Sequence, residues 1–170
     1  RCSVPEDDLT CDLYLRTLEF FTRCGYEQYE ISNFARTGRQ CRHNLKYWTR
    51  EPVLGFGVGS HSYDGRFRYA NLSDMNAYLR TIESDGSPVE WESAVAPSAA
   101  LEETLFLGLR LNRGIDWQQI SESYESKQLK SYEGTLNEMC SRGLLERQDA
   151  VIRLTPRGML LSNEVFQSFV

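Results

Sequence analysis

The run His43-Asn44-Leu45-Lys46-Tyr47-Trp48 places an imidazole beside a carboxamide and, one helical turn further on, two large aromatic rings. An imidazole can coordinate iron axially, flat aromatic faces can stack on a macrocycle, and Arg42 and Lys46 can pair with carboxylates at its rim. That is a coherent constellation for a porphyrin. The same residues can do less: His43 and Asn44 can hydrogen-bond loop backbone while Tyr47 and Trp48 anchor the loop to the core. Cys41 is a second candidate iron ligand. Around this cluster, Arg36, Arg39, Arg42, Lys46 and Arg50 succeed one another between Asn33 and Arg50 with no acid among them.

Other chemistry-bearing residues are sparser. Gly55-Phe-Gly57-Val-Gly59-Ser-His61 lacks the GxGxxG spacing of a nucleotide loop and sits within an expected strand rather than at a strand-to-helix turn. Its glycines can let a ligand lie against the strand or merely relieve crowding, and His61 can face that ligand or sit satisfied in the core. Glu27 and Glu30 fall on opposite faces of a strand, which disfavours a joint acid-base role. No serine or cysteine has the context of a nucleophile, and two histidines give a hydrolase triad little support. Asn71-Leu-Ser73 matches a glycosylation triplet that has no meaning without secretion.

These residues need elements to position them. Ser3-Val-Pro-Glu6 reads as a capping box before a helix carrying Leu9, Leu13, Leu18 and Phe21, which Cys24-Gly25 stops. Tyr26 to Ile31 reads as a strand, Phe34 to Glu51 as a long loop, and Val53 to Tyr63 as a buried strand. Asp74 to Glu83 is helical, with Met75, Tyr78, Leu79 and Ile82 on one side. Asp85-Gly-Ser-Pro88 then punctuates the chain, and a domain boundary is expected near residues 85 to 97, dividing it into 1–90 and 91–170. Beyond it come helices over 98–111, 116–124 and 127–142, a hairpin of 144–147 with 151–154 about a Gln-Asp-Ala turn, and a last helix opened by Thr155-Pro156. Helix, helix, hairpin and helix in that order suggest a winged-helix module.

Composition bounds the function classes. At 170 residues, 41% hydrophobic and 25% charged, the chain is an ordinary globular protein of one or two small domains. It holds no apolar run of the about 18 residues that a membrane span needs, and nothing before Leu9 resembles a signal peptide. It begins at Arg1, so a cytoplasmic protein whose front portion is missing is expected. Five cysteines without CxxC spacing argue against a disulfide framework or structural zinc site. From Ala94 to Val170, eight Lys and Arg face ten Asp and Glu, a net of −2, so the winged-helix segment is not expected to bind nucleic acid.

YEISNFARTG, CRHNLKYW, LGFGVGSHSY, Asn71, EETLFLGLRLNRGID and GLLE…IRLTPRGMLLSNEVF resemble, in order and spacing, the C-terminal half of the oxygen-independent coproporphyrinogen III oxidase-like proteins. The HNxxYW cluster is similar to that of the HemW-type heme-chaperone branch. The resemblance spans nearly the whole chain. It implies an α/β plus α+β organisation: the C-terminal part of a radical S-adenosylmethionine (SAM) partial (β/α) barrel, then a winged-helix-like domain. It implies a four-iron four-sulfur (4Fe-4S) cluster on a CxxxCxxC motif with SAM on its fourth iron; that motif is absent here, so the cluster cysteines are expected upstream of Arg1 and no metal ligand is assigned within the chain. It carries heme binding onto His43, Asn44, Tyr47 and Trp48, and SAM contacts onto Gly59, Ser60 and His61.

The function that follows is a heme chaperone that hands heme to acceptor proteins, with no integral membrane segment and no catalytic residue assigned in this chain. The enzymatic alternative is oxidative decarboxylation of coproporphyrinogen III by a SAM-derived radical. A third reading makes the winged helix a nucleic-acid or protein-binding module.

Overall fold

In the computed structural model residues 6–169 are described. Helix α1 (Asp7–Arg23) opens the chain. The expected capping box begins at Ser3, outside the described residues, and Glu6 at the N-cap makes no side-chain capping bond. Gly25, at φ +77°, stops α1 as expected, since a left-handed residue is most easily supplied by glycine. Strand β1 (Glu27–Glu30) follows and pairs antiparallel with β2 (Asn33–Ala35).

The stretch expected to be one long loop, 34–51, therefore contains the end of a strand, and it also contains helix α2 (Arg42–Trp48). Its polar, basic composition hid both elements, because a two-turn helix and a three-residue strand carry too few residues for a clear period.

The expected continuous strand from Val53 to Tyr63 is not formed. Gly57 and Gly59 sit at φ +96° and +64°, which turns the chain back, and the two ends of the run pair with each other. Val53 N–H donates to the Tyr63 carbonyl at 2.7 Å and Tyr63 N–H to the Val53 carbonyl at 2.8 Å. Only β3 (His61–Tyr63) is strand. It pairs with β4 (Phe67–Asn71) through a turn in which Asp64 Oδ1 accepts from the N–H groups of Arg66 and Phe67. These two bonds stabilise the ionised carboxylate and hold Asp64 below the ordinary carboxylate range. Helix α3 (Met75–Glu83) is capped as expected by Asp74, which accepts from Ala77 N–H, but its Met75, Leu79 and Ile82 are exposed. Strand β5 (Val89–Ala94) then completes a sheet of order β3-β4-β5.

Helix α4 (Pro97–Leu109) is followed by β6 (Ile115–Asp116), α5 (Trp117–Ser123), α6 (Ser126–Ser141), β7 (Leu145–Gln148), β8 (Val151–Leu154), α7 (Pro156–Leu160) and α8 (Ser162–Gln167). The sheet order is β6-β8-β7. The β7–β8 turn places Asp149 at φ +55°, a conformation that Asp tolerates. Thr155 caps α7 by accepting from Gly158 N–H. Every pairing between strands among the described residues is antiparallel.

By compactness the chain forms two units: the residues up to Arg42 with those from Gly108 onward, and His43–Leu107. The division expected from sequence, at about residue 90, falls inside the second of these. The first unit has the larger core, with Leu136, Met139, Leu144, Leu145, Ile152, Leu154, Val165 and Phe169 buried. Within it Glu30 is fully buried, pairs with Arg110 at 3.1 Å and accepts from Ser32 N–H and Asn33 Nδ2, so the turn after β1 is built around a satisfied charge. In the second unit Ala70, Leu101 and Leu105 are buried.

Candidate functional site

Helix α2 sets out the first wall. His43 and Tyr47, four positions apart, share a face, and their rings meet edge-on at 5.0 Å. Helix α2 ends in a left-handed cap: Arg50 N–H donates to the Tyr47 carbonyl and Glu51 N–H to the Lys46 carbonyl. Glycine normally occupies such a position, yet here it is Arg50, at φ +51°. A non-glycine residue there costs about 1–2 kcal/mol, so something must hold it.

What holds it is a buried polar network. Arg50 Nε donates to Glu103 Oε2 at 2.9 Å, Arg50 Nη2 to the Tyr63 hydroxyl at 2.6 Å, and Arg50 Nη1 to Thr104 Oγ1 at 3.4 Å. The Tyr63 hydroxyl in turn donates to the Gly65 carbonyl. The other oxygen of Glu103 lies 2.8 Å from Arg68 Nη2. The Arg50 and Glu103 side chains are only 13% and 15% exposed, while Arg68 is 47% exposed. Both guanidiniums also lie against the Tyr63 ring, at 5.3 and 5.6 Å from its centroid.

The second wall is the turned-back run 53–63. A Cβ on Gly55 would stand 2.4 Å from the His61 carbonyl, so glycine is required there by the chain's own backbone. Gly55 N–H donates to Ser62 Oγ, which is buried. Of the two uses foreseen for these glycines, relief of crowding accounts for Gly55, while Gly57 and Gly59 supply left-handed turns.

Within the second unit these walls enclose a cavity of about 500 Å³ lined by Lys46, Tyr47, Trp48, Arg50, Tyr63 and Arg68, with Glu51, Val53, His61, Ser62, Glu103, Phe106 and Leu107. Such a volume suits a small organic ligand. Aromatic rings form much of the lining, and its three Lys and Arg outnumber its two carboxylates. The excess is positive in a chain of net charge −5.

Three residues singled out from sequence, Tyr47, Trp48 and His61, meet in this one cavity although they had been assigned to two different ligands. His43 and Asn44 do not line it; His43 is exposed and reaches it through the Tyr47 ring. Gly59 and Ser60 do not line it either. Ser60 Oγ donates to the Gly57 carbonyl and accepts from Asn71 Nδ2, which stitches the turn together. Arg42 and Cys41 are exposed outside the cavity. Sequence reading missed Tyr63, Arg68, Glu103 and Phe106, and it counted Arg50 only as part of a basic run. The one signal for Glu103 was the acidic pair Glu102-Glu103 in the middle of a mostly apolar helix.

The described residues do not fit an iron-sulfur cluster. Cys11, Cys24, Cys41 and Cys140 are free thiols, and among the described residues no three His, Cys, Asp or Glu converge on a metal position. No helix of the described residues is long and apolar enough to cross a membrane.

Residues 95–161 match the family model of the HemN C-terminal domain. Among curated proteins, the "Heme chaperone HemW" of Bacillus subtilis is 33% identical over 170 residues, covering 100% of this chain and 45% of that protein. The protein of that name from Lactococcus lactis is 30% identical, covering 98% of this chain and 44% of its own length. That from Synechocystis is 37% identical over 133 residues, covering 76% and 32%. The chain thus spans less than half the length of these relatives. Among solved structures, the coproporphyrinogen III oxidase (HemN) of Escherichia coli, described as a radical SAM enzyme, matches 97% of this chain and 42% of its own at a TM-score of 0.75 and 18% identity, a likeness of fold. The agreement of motif order, domain model and fold shows that the chain belongs to the oxygen-independent coproporphyrinogen III oxidase-like radical SAM family, in its HemW-type branch, and carries that family's C-terminal portion.

Proposed function

We propose that the intact protein is a cytoplasmic heme chaperone that binds heme and passes it to acceptor proteins, with the 4Fe-4S cluster and SAM held by a part of the protein outside this chain. The observation that carries the reading is the cavity itself: Tyr47 and Trp48 of the HNxxYW motif line it together with Tyr63 and Phe106, beside cations in excess. Heme is a flat apolar body with two carboxylates, and such a lining offers it both stacking faces and charge partners. His43, exposed with its ring against Tyr47, would be the residue to hold the heme iron through its imidazole, and Asn44 adjoins it on α2.

The same reading makes residues 1–90 the end of a partial (β/α) barrel and residues 91–170 a winged-helix-like domain. Gly59, Ser60 and His61 are SAM contacts in that arrangement, although His61 alone of the three lines the cavity.

Directed delivery has a kinetic signature. Heme-loaded full-length protein mixed with increasing concentrations of a heme-free b-type cytochrome should release heme at a rate that rises with acceptor concentration. A rate that stays at the spontaneous dissociation value, whatever the acceptor concentration, contradicts a chaperone.

A further inference from the structure

The cavity holds more than aromatic walls. One carboxylate, Glu103, serves two guanidiniums: its Oε2 takes Arg50 at 2.9 Å and its Oε1 takes Arg68 at 2.8 Å. The remaining charged lining residues, Lys46 and Glu51, cancel, so one positive charge of the Arg50–Glu103–Arg68 triad is left unbalanced. The two cations are not equivalent. Arg50 is spent on Glu103, Tyr63 and Thr104 and is nearly buried, whereas Arg68 meets Glu103 and the face of Tyr63 with 47% of its side chain exposed. A guanidinium carries five N–H donors in a fork that matches a carboxylate, and Glu103 engages Arg68 through one nitrogen. Arg68 also projects from β4, the central strand of the β3-β4-β5 sheet, so its backbone is fixed on both sides.

We propose that Arg68, braced by Glu103 and Tyr63, is the residue that anchors a carboxylate of the ligand in this cavity and makes the site select a free-acid porphyrin over its neutral ester. Arg50 is a positioning residue: it holds Glu103, which holds Arg68. The ligand carboxylate completes the triad as a second acceptor, giving two guanidiniums and two carboxylates in alternation. This rests on the heme reading for the choice of probe, and requires no iron.

The test uses full-length protein with metal-free protoporphyrin IX and its dimethyl ester, followed by tryptophan fluorescence quenching. The free acid should bind about tenfold more tightly than the ester, the low end for a charge-assisted pair at a half-exposed cation. Arg68→Gln should bring the two affinities within about threefold of each other, and Arg68→Lys should fall between. Should Arg68→Gln fail to fold, Arg68→Lys alone decides, by a reduced or an unreduced preference. Equal affinity of the native protein for acid and ester, no binding of either, or a preference that survives substitution at Arg68 overturns the proposal. An iron-porphyrin spectrum that depends on His43 together with indifference to the ester would leave the heme reading standing and remove the anchor. The converse pair of results would do the opposite.

Discussion

Arg50 and Glu103 are joined by a 2.9 Å hydrogen bond between two charged side chains that are each more than four-fifths buried, and the arginine that makes it stands in a left-handed backbone conformation. Local strain and tertiary pairing thus meet at one residue. The strained C-cap aims the guanidinium at Glu103 and Tyr63, and the network keeps the cap from relaxing.

Replacing Arg50 separates the two effects. Arg50→Ala loses the buried pair and keeps the strain, and should cost about 2–3 kcal/mol. Arg50→Gly loses the same pair but relieves the backbone, so it should be about 1 kcal/mol more stable than Arg50→Ala. Urea unfolding of both variants measures the difference; equal midpoints would mean that the positive φ carries no strain.

Two glycines should respond with opposite signs. Gly55→Ala drives a methyl to 2.4 Å from the His61 carbonyl, a backbone atom that cannot swing away, and should destabilise by roughly 2 kcal/mol or more. Gly134→Ala lies in the interior of α6 with nothing within 4 Å and should stabilise by about 0.5–1 kcal/mol. Thermal unfolding of the pair reads both.

Asp64 sets an acid limit on the β3–β4 turn. The backbone N–H groups of Phe67 and Arg66 hold its carboxyl below the ordinary carboxylate value. A depressed folded-state value means that the stabilisation is fully present above the unfolded carboxyl's value of about 3.9 and is lost as pH falls through the lower folded value. The Asp64 side-chain carboxyl should therefore titrate by NMR below that of an exposed aspartate, and Asp64→Ala should flatten the acid loss of order at residues 61–71. A midpoint at or above the ordinary value refutes the turn's role.

Thiol reactivity should follow burial. Cys24 and Cys41 are exposed, while burial pushes the Cys140 thiol up, opposed by the nearby Arg147. Alkylation with iodoacetamide near pH 8, followed by mass spectrometry, should label Cys24 and Cys41 well before Cys140, and the gap should narrow as pH rises. Cys140 labelling first would contradict the packing of α6.

Much of the chain past residue 97 was readable because its signals are local. The Thr155 cap, the apolar stripe of α6 and the Asp149 turn each depend on a few neighbouring residues, and α4, α5, α6 and the β7–β8 hairpin formed within a residue or two of expectation; the single last helix expected after Thr155 is instead divided at Leu161 into α7 and α8, and the two-residue β6 was not foreseen. Strand β5 was missed because VEWESA has no burial contrast that a period could report; all six of its residues are exposed, and pairing alone makes it a strand, while the five residues of β4 bury only Ala70, too little for a period to show. The run 53–63 misled for a related reason: its apolar composition is that of a strand, but two left-handed glycines override composition.

The site divided along the same line. Tyr47, Trp48 and His61 were legible as motif residues. Arg68 and Glu103 were not, because their partnership joins β4 to α4 across a span of chain that no local pattern bridges.

Heme binding at His43 beside the Tyr47–Trp48 cavity is read out by titrating ferric heme into the full-length protein and its His43→Ala variant and following the Soret band. The native protein should give a saturable one-to-one Soret shift and the variant an altered band with affinity reduced about tenfold or more. Identical spectra and equal affinities would contradict it.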